Sequence, residues 1–327
     1  MLSLSSLAQQ VRDYSGLVRK HPIEEVYREL VLFGQPDIVP PNFGDDAATI
    51  PWKDGFLLLA ADGIMPGLLI HEPYAAGKAS VMVTVNDIYA TGGRPLAMVN
   101  VLASGDPEHR REVLRGIRKG CEKLRVPMVG GHLHPDAPSD APALSVAILG
   151  WAQKVLHGYT ARTGDELILA VDLSGREGCR SVKSWDANSG KTPQELIHRL
   201  EALPLIAEQE WANAAKDVSN AGILGTVSIM MENSGKGATI DLAEIPRPSD
   251  IELAHWLFAF QSFGFVLSVP PVNSQKVIRL FRERNITASV IGKVLDRKTI
   301  VITQDSEAEV LFDFGRDKIT GIRYELG

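Results

Sequence analysis

Five aspartates stand where a fold could present carboxylates together. Asp45 and Asp46 follow Gly44, Asp62 precedes Gly63, Asp87 follows Asn86, and Asp217 runs into Ser219-Asn220-Ala221-Gly222. Each lies beside a glycine or at the expected end of an element. Magnesium takes hard oxygen ligands of this kind and keeps phosphate oxygens and water as its remaining ligands. Converging carboxylates would therefore hold one or more ions against a triphosphate. Taken singly, an aspartate near glycine is more often a turn or cap residue, and spacing alone does not bring the five together.

Other chemistries find less in the sequence. Gly190-Lys191-Thr192 ends like a P-loop, but Trp185 occupies the place of its first glycine. Gly77-Lys78-Ala79 lacks the hydroxyl that would reach a metal. His132 and His134 flank Leu133, with Asp136 nearby; on an extended segment both rings point the same way and could bind zinc. No third protein ligand is evident, and the plainer reading is a loop whose imidazoles bond locally or touch substrate. There is no G-x-S-x-G elbow. Cys121 and Cys179 form neither a CxxC pair nor a disulfide framework.

The 327 residues leave room for two domains, and a 45% hydrophobic, 23% charged composition predicts a sizeable core. A net charge of -6 without a basic block argues against nucleic acid. No run of about 18 apolar residues marks a membrane span. The N-terminus lacks the apolar core of a signal peptide, and the cysteine usage fits the cytoplasm.

The elements that must carry these residues follow from periodicity. A helix is expected over 22–33, with Ile23, Val26, Leu30 and Phe33 on one face, then a loop over 35–42. A strand over 56–61 is apolar throughout, so burial of both faces is expected, and it delivers Asp62 at its end. A helix over 73–90 carries Lys78, Asn86 and Asp87 and stops at Gly92-Gly93. A strand over 96–103 precedes a helix opened by Asp106 as cap and Pro107 as first residue. Residues 130–136 read as a loop, and 143–152 as a strand. In the second half a turn at 163–165 leads to a strand over 166–171. Polar helices lie between 192 and 216, and a further helix over 220–231 ends at Ser234-Gly235. Strands are expected over 238–242, 264–269, 288–294 and 299–303. The alternation predicts an α/β or α+β fold in two tightly packed domains, divided near residues 153–163.

The order of these motifs resembles the superfamily of AIR synthase, thiamine-monophosphate kinase, selenophosphate synthetase and the hydrogenase-maturation proteins. Phe43-Gly44-Asp45-Asp46-Ala47-Ala48 looks like its acidic signature, and Ala61-Asp62-Gly63 like its next aspartate. Gly77-Lys78-Ala79 and Val85-Asn86-Asp87-Ile88 through Pro95 resemble its helical motif. Gly130-Gly131-His132 matches the form seen in selenophosphate synthetases, and Asp217-Val218-Ser219-Asn220-Ala221-Gly222 the motif of the second domain.

The resemblance covers roughly residues 20–300 and is strongest to the AIR synthase-related branch. It implies a PurM-like pair of α/β domains, placed at 1–155 and 156–327. It also implies a homodimer whose N-terminal mixed sheets form a shared barrel, and ATP with Mg2+ in the cleft. By the same matching, Asp45, Asp46, Asp62, Asp87 and Asp217 become metal residues. Lys78, Asn86, Asp87, Gly130, Gly131 and Asn220 become nucleotide-binding, and His132 and Asp62 catalytic. The implied reaction is phosphoryl transfer from ATP to a small-molecule acceptor. The alternatives are amide activation with ring closure, or nucleotide binding without catalysis.

Departures from the family narrow the substrate. No cysteine precedes Cys121, unlike selenophosphate synthetases, and no cysteine-containing tail is present. His132 and Asn220 stand where thiamine-monophosphate kinases carry carboxylates.

Overall fold

The computed structural model describes residues 3–31 and 43–324. The chain opens with α1 (Leu4–Arg12), α2 (Ser15–Val18) and α3 (Ile23–Val31). The last realises the helix expected over 22–33; Phe33 and the loop at 35–42 lie outside the described residues.

The first half then runs β1 (Ala48–Trp52), β2 (Gly55–Gly63), α4 (Pro66–His71), α5 (Pro73–Ala90), β3 (Arg94–Ala103), α6 (Pro107–Leu124), β4 (Met128–His134) and β5 (Ala143–Ala152). Its sheet has the order β1-β2-β5-β3-β4, antiparallel except for the parallel β3–β4 pair. Asp106 caps α6 by accepting from the Glu108 amide at 2.8 Å, with Pro107 as first helical residue. The helices α5 and α6 pack backbone to backbone. A Cβ on Gly77 would stand 2.1 Å from the Val113 carbonyl, and one on Gly116 would stand 2.1 Å from that of Tyr74.

Two expectations change here. The strand β2 is buried on one face only: Leu58 and Ala60 are covered, whereas Leu59 is 47% exposed. The open face continues through Leu149, which pairs with Leu59 and Ala97, and along β3 through Val99 and Val101, two and four residues beyond Ala97 on the same face. A continuous apolar run cannot distinguish two covered faces from one covered face and one open apolar face. Residues 130–134 belong to strand β4 rather than to a loop. Glycines and histidines are weak strand formers, and pairing with β3 supplies what propensity lacks. Gly131 faces Asn100, whose carbonyl a Cβ would meet at 2.4 Å.

The second half comprises β6 (Glu166–Val171), β7 (Arg176–Glu177), β8 (Ser184–Asp186), α7 (Pro193–Leu200), α8 (Ala202–Glu208), β9 (Ala214–Asp217), α9 (Gly222–Asn233), β10 (Gly237–Asp241), α10 (Leu253–Trp256), β11 (Phe260–Gln261), β12 (Gly264–Val269), α11 (Pro271–Arg282), β13 (Thr287–Leu295), β14 (Thr299–Gln304) and β15 (Glu307–Asp313). Seven strands form a mixed sheet in the order β15-β14-β10-β13-β6-β12-β9, and β11-β8-β7 make a small second sheet. The helix α9 is buried on every side, as its nearly unbroken apolar sequence requires.

The segment Ala214–Asp217 is an edge strand, although its alanines and lysine read as the end of a helix. Pairing with β12 overrides that propensity. The resembling P-loop fragment is structural: Thr192 caps α7 in a capping box with Glu195, and Lys191 pairs with Asp172 at 3.2 Å. The helix α1 packs on β14 and β15, where Arg12 donates to the Val310 carbonyl at 3.1 Å. The helix α1 thus lies against the second half.

Candidate functional site

The two halves meet around a cleft of about 930 Å³. Asp46 enters it from the loop before β1, Asp62 from the end of β2, Asp87 from the last turn of α5, and Asp217 from the end of β9. The helix α5 packs against β9, which sets Asp87 beside Asp217 across the domain boundary. Oxygens of Asp46, Asp87 and Asp217 lie within 4.8 Å of one another. Among the described residues this is the only set of three acidic, histidine or cysteine side chains so gathered.

A hydrogen-bonded frame holds the acidic loop. Gly44 has a φ of 84°, in the left-handed region, and its carbonyl accepts from Asn233 at 3.0 Å and Lys216 at 3.3 Å. Asp45 turns away from the cluster into the link between the domains. It accepts from the Gly158 amide at 2.8 Å and contacts His157 Nδ1 at 2.9 Å. Asp46 accepts from the Asp217 amide at 3.1 Å and forms an ion pair with Lys216. Asp45 therefore positions the loop, and Asp46 presents its carboxylate.

The electrostatics follow from crowding. Burial pushes the Asp87 and Asp217 carboxyls well above the usual range; Asp62, Asp217 and Asp46 add to this at Asp87, and Asp46 does so at Asp217. Asp46 is raised by burial, against the pull of Lys216. Asp62 is also raised by its recessed surroundings, with Lys20 and Arg19 opposing. Its side chain stands on an accessible wall, so the push comes from a recess rather than a sealed interior. Burial works against the Lys216 ammonium, but Asp46, Asp45 and Asp217 outweigh it and hold its pKa above the ordinary lysine value. Two carboxylates about 5 Å apart repel by about 3 kcal/mol at an effective dielectric of about 20, so the cluster calls for a cation. Three hard-oxygen donors fit magnesium.

The cleft also carries groups that motif reading did not single out. Arg19, Lys20, Lys183 and Lys216 line it with the five aspartates, giving four cations against five carboxylates. Such a balance admits a polyanion once a metal ion is present. Lys183 lies over the Phe258 ring, 4.9 Å from its centroid, and over Tyr14. Asn220 Oδ1 and the hydroxyl of Thr226 are buried without a hydrogen-bond partner, and both residues line the cleft. Gly16 explains how tightly the N-terminal segment closes this wall, since a Cβ there would meet the Asn220 carbonyl at 2.0 Å. The only sequence signal for Lys216 was its place next to Asp217. Arg19 and Lys20 belong to no motif.

The remaining predicted residues lie elsewhere. Lys78 donates to Ser189 at 2.8 Å and pairs with Asp186 at 3.7 Å. Asn86 is buried and donates to the Ser262 carbonyl at 3.4 Å. Gly130, Gly131 and His132 lie on edge strand β4 and do not line the cleft. His132 and His134 stand with ring centroids 4.6 Å apart and gather no third ligand among the described residues. A smaller recess of about 340 Å³ beside Phe314 and Arg316 holds no such cluster.

The N-terminal domain of AIR synthase related proteins matches residues 44–152, and their C-terminal domain matches residues 162–305. An uncharacterized protein of Methanocaldococcus jannaschii is 38% identical over 326 residues, covering 98% of this chain and all of that protein. The fold is shared with Thermotoga maritima PurL complexed with ATP, at a TM-score of 0.78 and 17% identity. That match covers 97% of this chain and 52% of PurL, so the chain spans about half of that protein's length. AaThiL complexed with AMPPCP and TMP is similar over 89% of this chain and 96% of its own, at a TM-score of 0.64 and 19% identity. These likenesses establish a two-domain fold common to proteins caught with adenine nucleotides. No helix among the described residues is long and apolar enough to cross a membrane.

Proposed function

The chain belongs to the AIR synthase-related family, and on that premise we propose that it is a magnesium-dependent, ATP-using enzyme that transfers a phosphoryl group to a small-molecule acceptor. The observation that carries this reading is the convergence of Asp46, Asp87 and Asp217 from both domains, with oxygens within 4.8 Å, in one large cleft. Asp46, Asp87 and Asp217 would hold magnesium, with Asp62 beside them, and the ion would shield the charge of the triphosphate.

The chain's own groups do the rest. Lys20 and Arg19 draw phosphate oxygens to the rim by charge. Asn220 Oδ1 accepts a hydrogen bond from an N–H or O–H of a bound ligand, because its present surroundings leave it unpartnered. Holding donor and acceptor in one cleft converts a bimolecular encounter into an oriented one.

The second copy implied by the family is supported by the open face of the first sheet. Leu59, Val99, Val101 and Leu149 are each more than a third exposed there. A contiguous apolar face of this kind calls for cover, and His132 lies on it, opposite Val101. His132 would then act at a subunit boundary rather than inside the cleft of its own chain.

The experiment is ADP formation from Mg-ATP across a library of phosphate monoesters, alcohols and amides, with transfer of the labelled γ-phosphate followed. Label on an acceptor supports phosphoryl transfer. ADP and phosphate with ring-closed product points to amide activation, and nucleotide binding without turnover contradicts catalysis.

A further inference from the structure

Lys216 is a buried lysine inside a carboxylate cluster. Its stem lies on Gly158, where a Cβ would meet Lys216 Cγ at 2.7 Å and Cδ at 3.0 Å. Its ammonium donates to the Gly44 carbonyl at 3.3 Å and pairs with Asp46 Oδ1. Asp46 Oδ2 is held in turn by the Asp217 amide. The charge is thus fixed by a socket from three parts of the chain: the acidic loop, the link between domains, and strand β9. The surrounding cleft is built to receive something, since the Thr226 hydroxyl, on a residue 1% exposed, lines it without a partner.

We propose that Lys216 is a tethered cation that takes one positive-charge position of the cluster, so that the protein's side chains bind a single divalent ion where the same carboxylates alone would bind two. The charge balance argues for this. With Asp45 engaged by His157, Asp46, Asp62, Asp87 and Asp217 remain to be compensated. Leaving the rim cations Arg19 and Lys20 to phosphate oxygens in both counts, three negative charges are left with Lys216 in place, which a second divalent ion would overcompensate. Without Lys216, four are left, which two divalent ions match. The ammonium also occupies Asp46 Oδ1, removing a donor atom that a second ion would need. The inference rests on the metal-binding reading of the cluster and adds its stoichiometry.

The test counts Mn2+ bound at saturation, without nucleotide, by electron paramagnetic resonance of the free ion. The wild-type chain is expected to bind one ion and Lys216→Met two. The double variant Lys216→Met with Asp46→Asn removes the pair without leaving an orphan charge, and is expected to return to one. Two ions on the wild type, or one on a folded Lys216→Met, would overturn the proposal while leaving the metal site intact. No Mn2+ on any form would overturn both it and the metal-binding reading. Should Lys216→Met fail to fold, the wild-type count decides: one supports the proposal and two overturns it.

Discussion

At the scale of the residue, the site is a set of like charges held together against their own repulsion. Functional sites hold such strain, and relieving it commonly stabilises a protein while removing its activity. Asp87→Asn is therefore expected to stabilise the metal-free protein by about 1–2 kcal/mol and to abolish the stabilisation given by Mg-ATP. Thermal unfolding in chelator and in Mg-ATP checks both. The pH dependence has a definite sign. The folded metal-free chain keeps protons on Asp87 and Asp217 in a range where the unfolded chain has released them, because burial raises both groups. Their contribution to stability is thus fully present below the ordinary aspartate pKa and decreases as pH rises toward the raised values. The gap between Asp87→Asn and wild type in chelator should narrow as pH is lowered, since a neutral Asp87 resembles asparagine. A gap that widens on acidification would contradict the assignment.

At the scale of the element, delivery of the aspartates depends on two close approaches. The helix α5 brings Asp87 to the cleft only because Gly77 lets its backbone touch α6. Gly77→Ala places a Cβ 2.1 Å from the Val113 carbonyl. It should destabilise the fold by about 1–3 kcal/mol, as overpacking does, and weaken Mg-ATP binding although Gly77 does not line the cleft. Denaturant unfolding and nucleotide titration measure the two effects. Much of this level was legible in the sequence. Helix α5 and strands β5, β6 and β12 have their expected limits, and the Asp106–Pro107 start of α6 was readable from cap chemistry. What escaped was set by pairing rather than propensity. The Gly-Gly-His segment became β4 through its parallel partner β3, and Ala-Ala-Lys-Asp became an edge strand through β12. The reading of β9 as helix also left Lys216 unmarked: neighbours on a strand point to opposite faces, and Lys216 joins Asp217 only because Asp46 accepts from the Lys216 ammonium and from the Asp217 amide.

At the scale of the whole molecule, the site exists only between domains. Residues separated by about 170 positions meet in the contacts of Asp46 with Lys216 and Asp217. Motif order suggested such a meeting, but distance along the chain carries no information about it. The open apolar face of the first sheet belongs to the same scale. Val101→Asp should convert a dimer to a monomer in sedimentation while leaving each chain folded, because Val101 is 47% exposed and no buried packing is lost. A wild-type chain that sediments as a monomer would remove the role offered for that face.

The most direct test of the central claim is calorimetric titration of ATP into wild type, Asp46→Asn and Asp217→Asn, each with magnesium and with chelator. The carboxylate cluster predicts binding to the wild type that requires magnesium and is lost in both variants. Magnesium-independent binding, or undiminished affinity in the two variants, would contradict it.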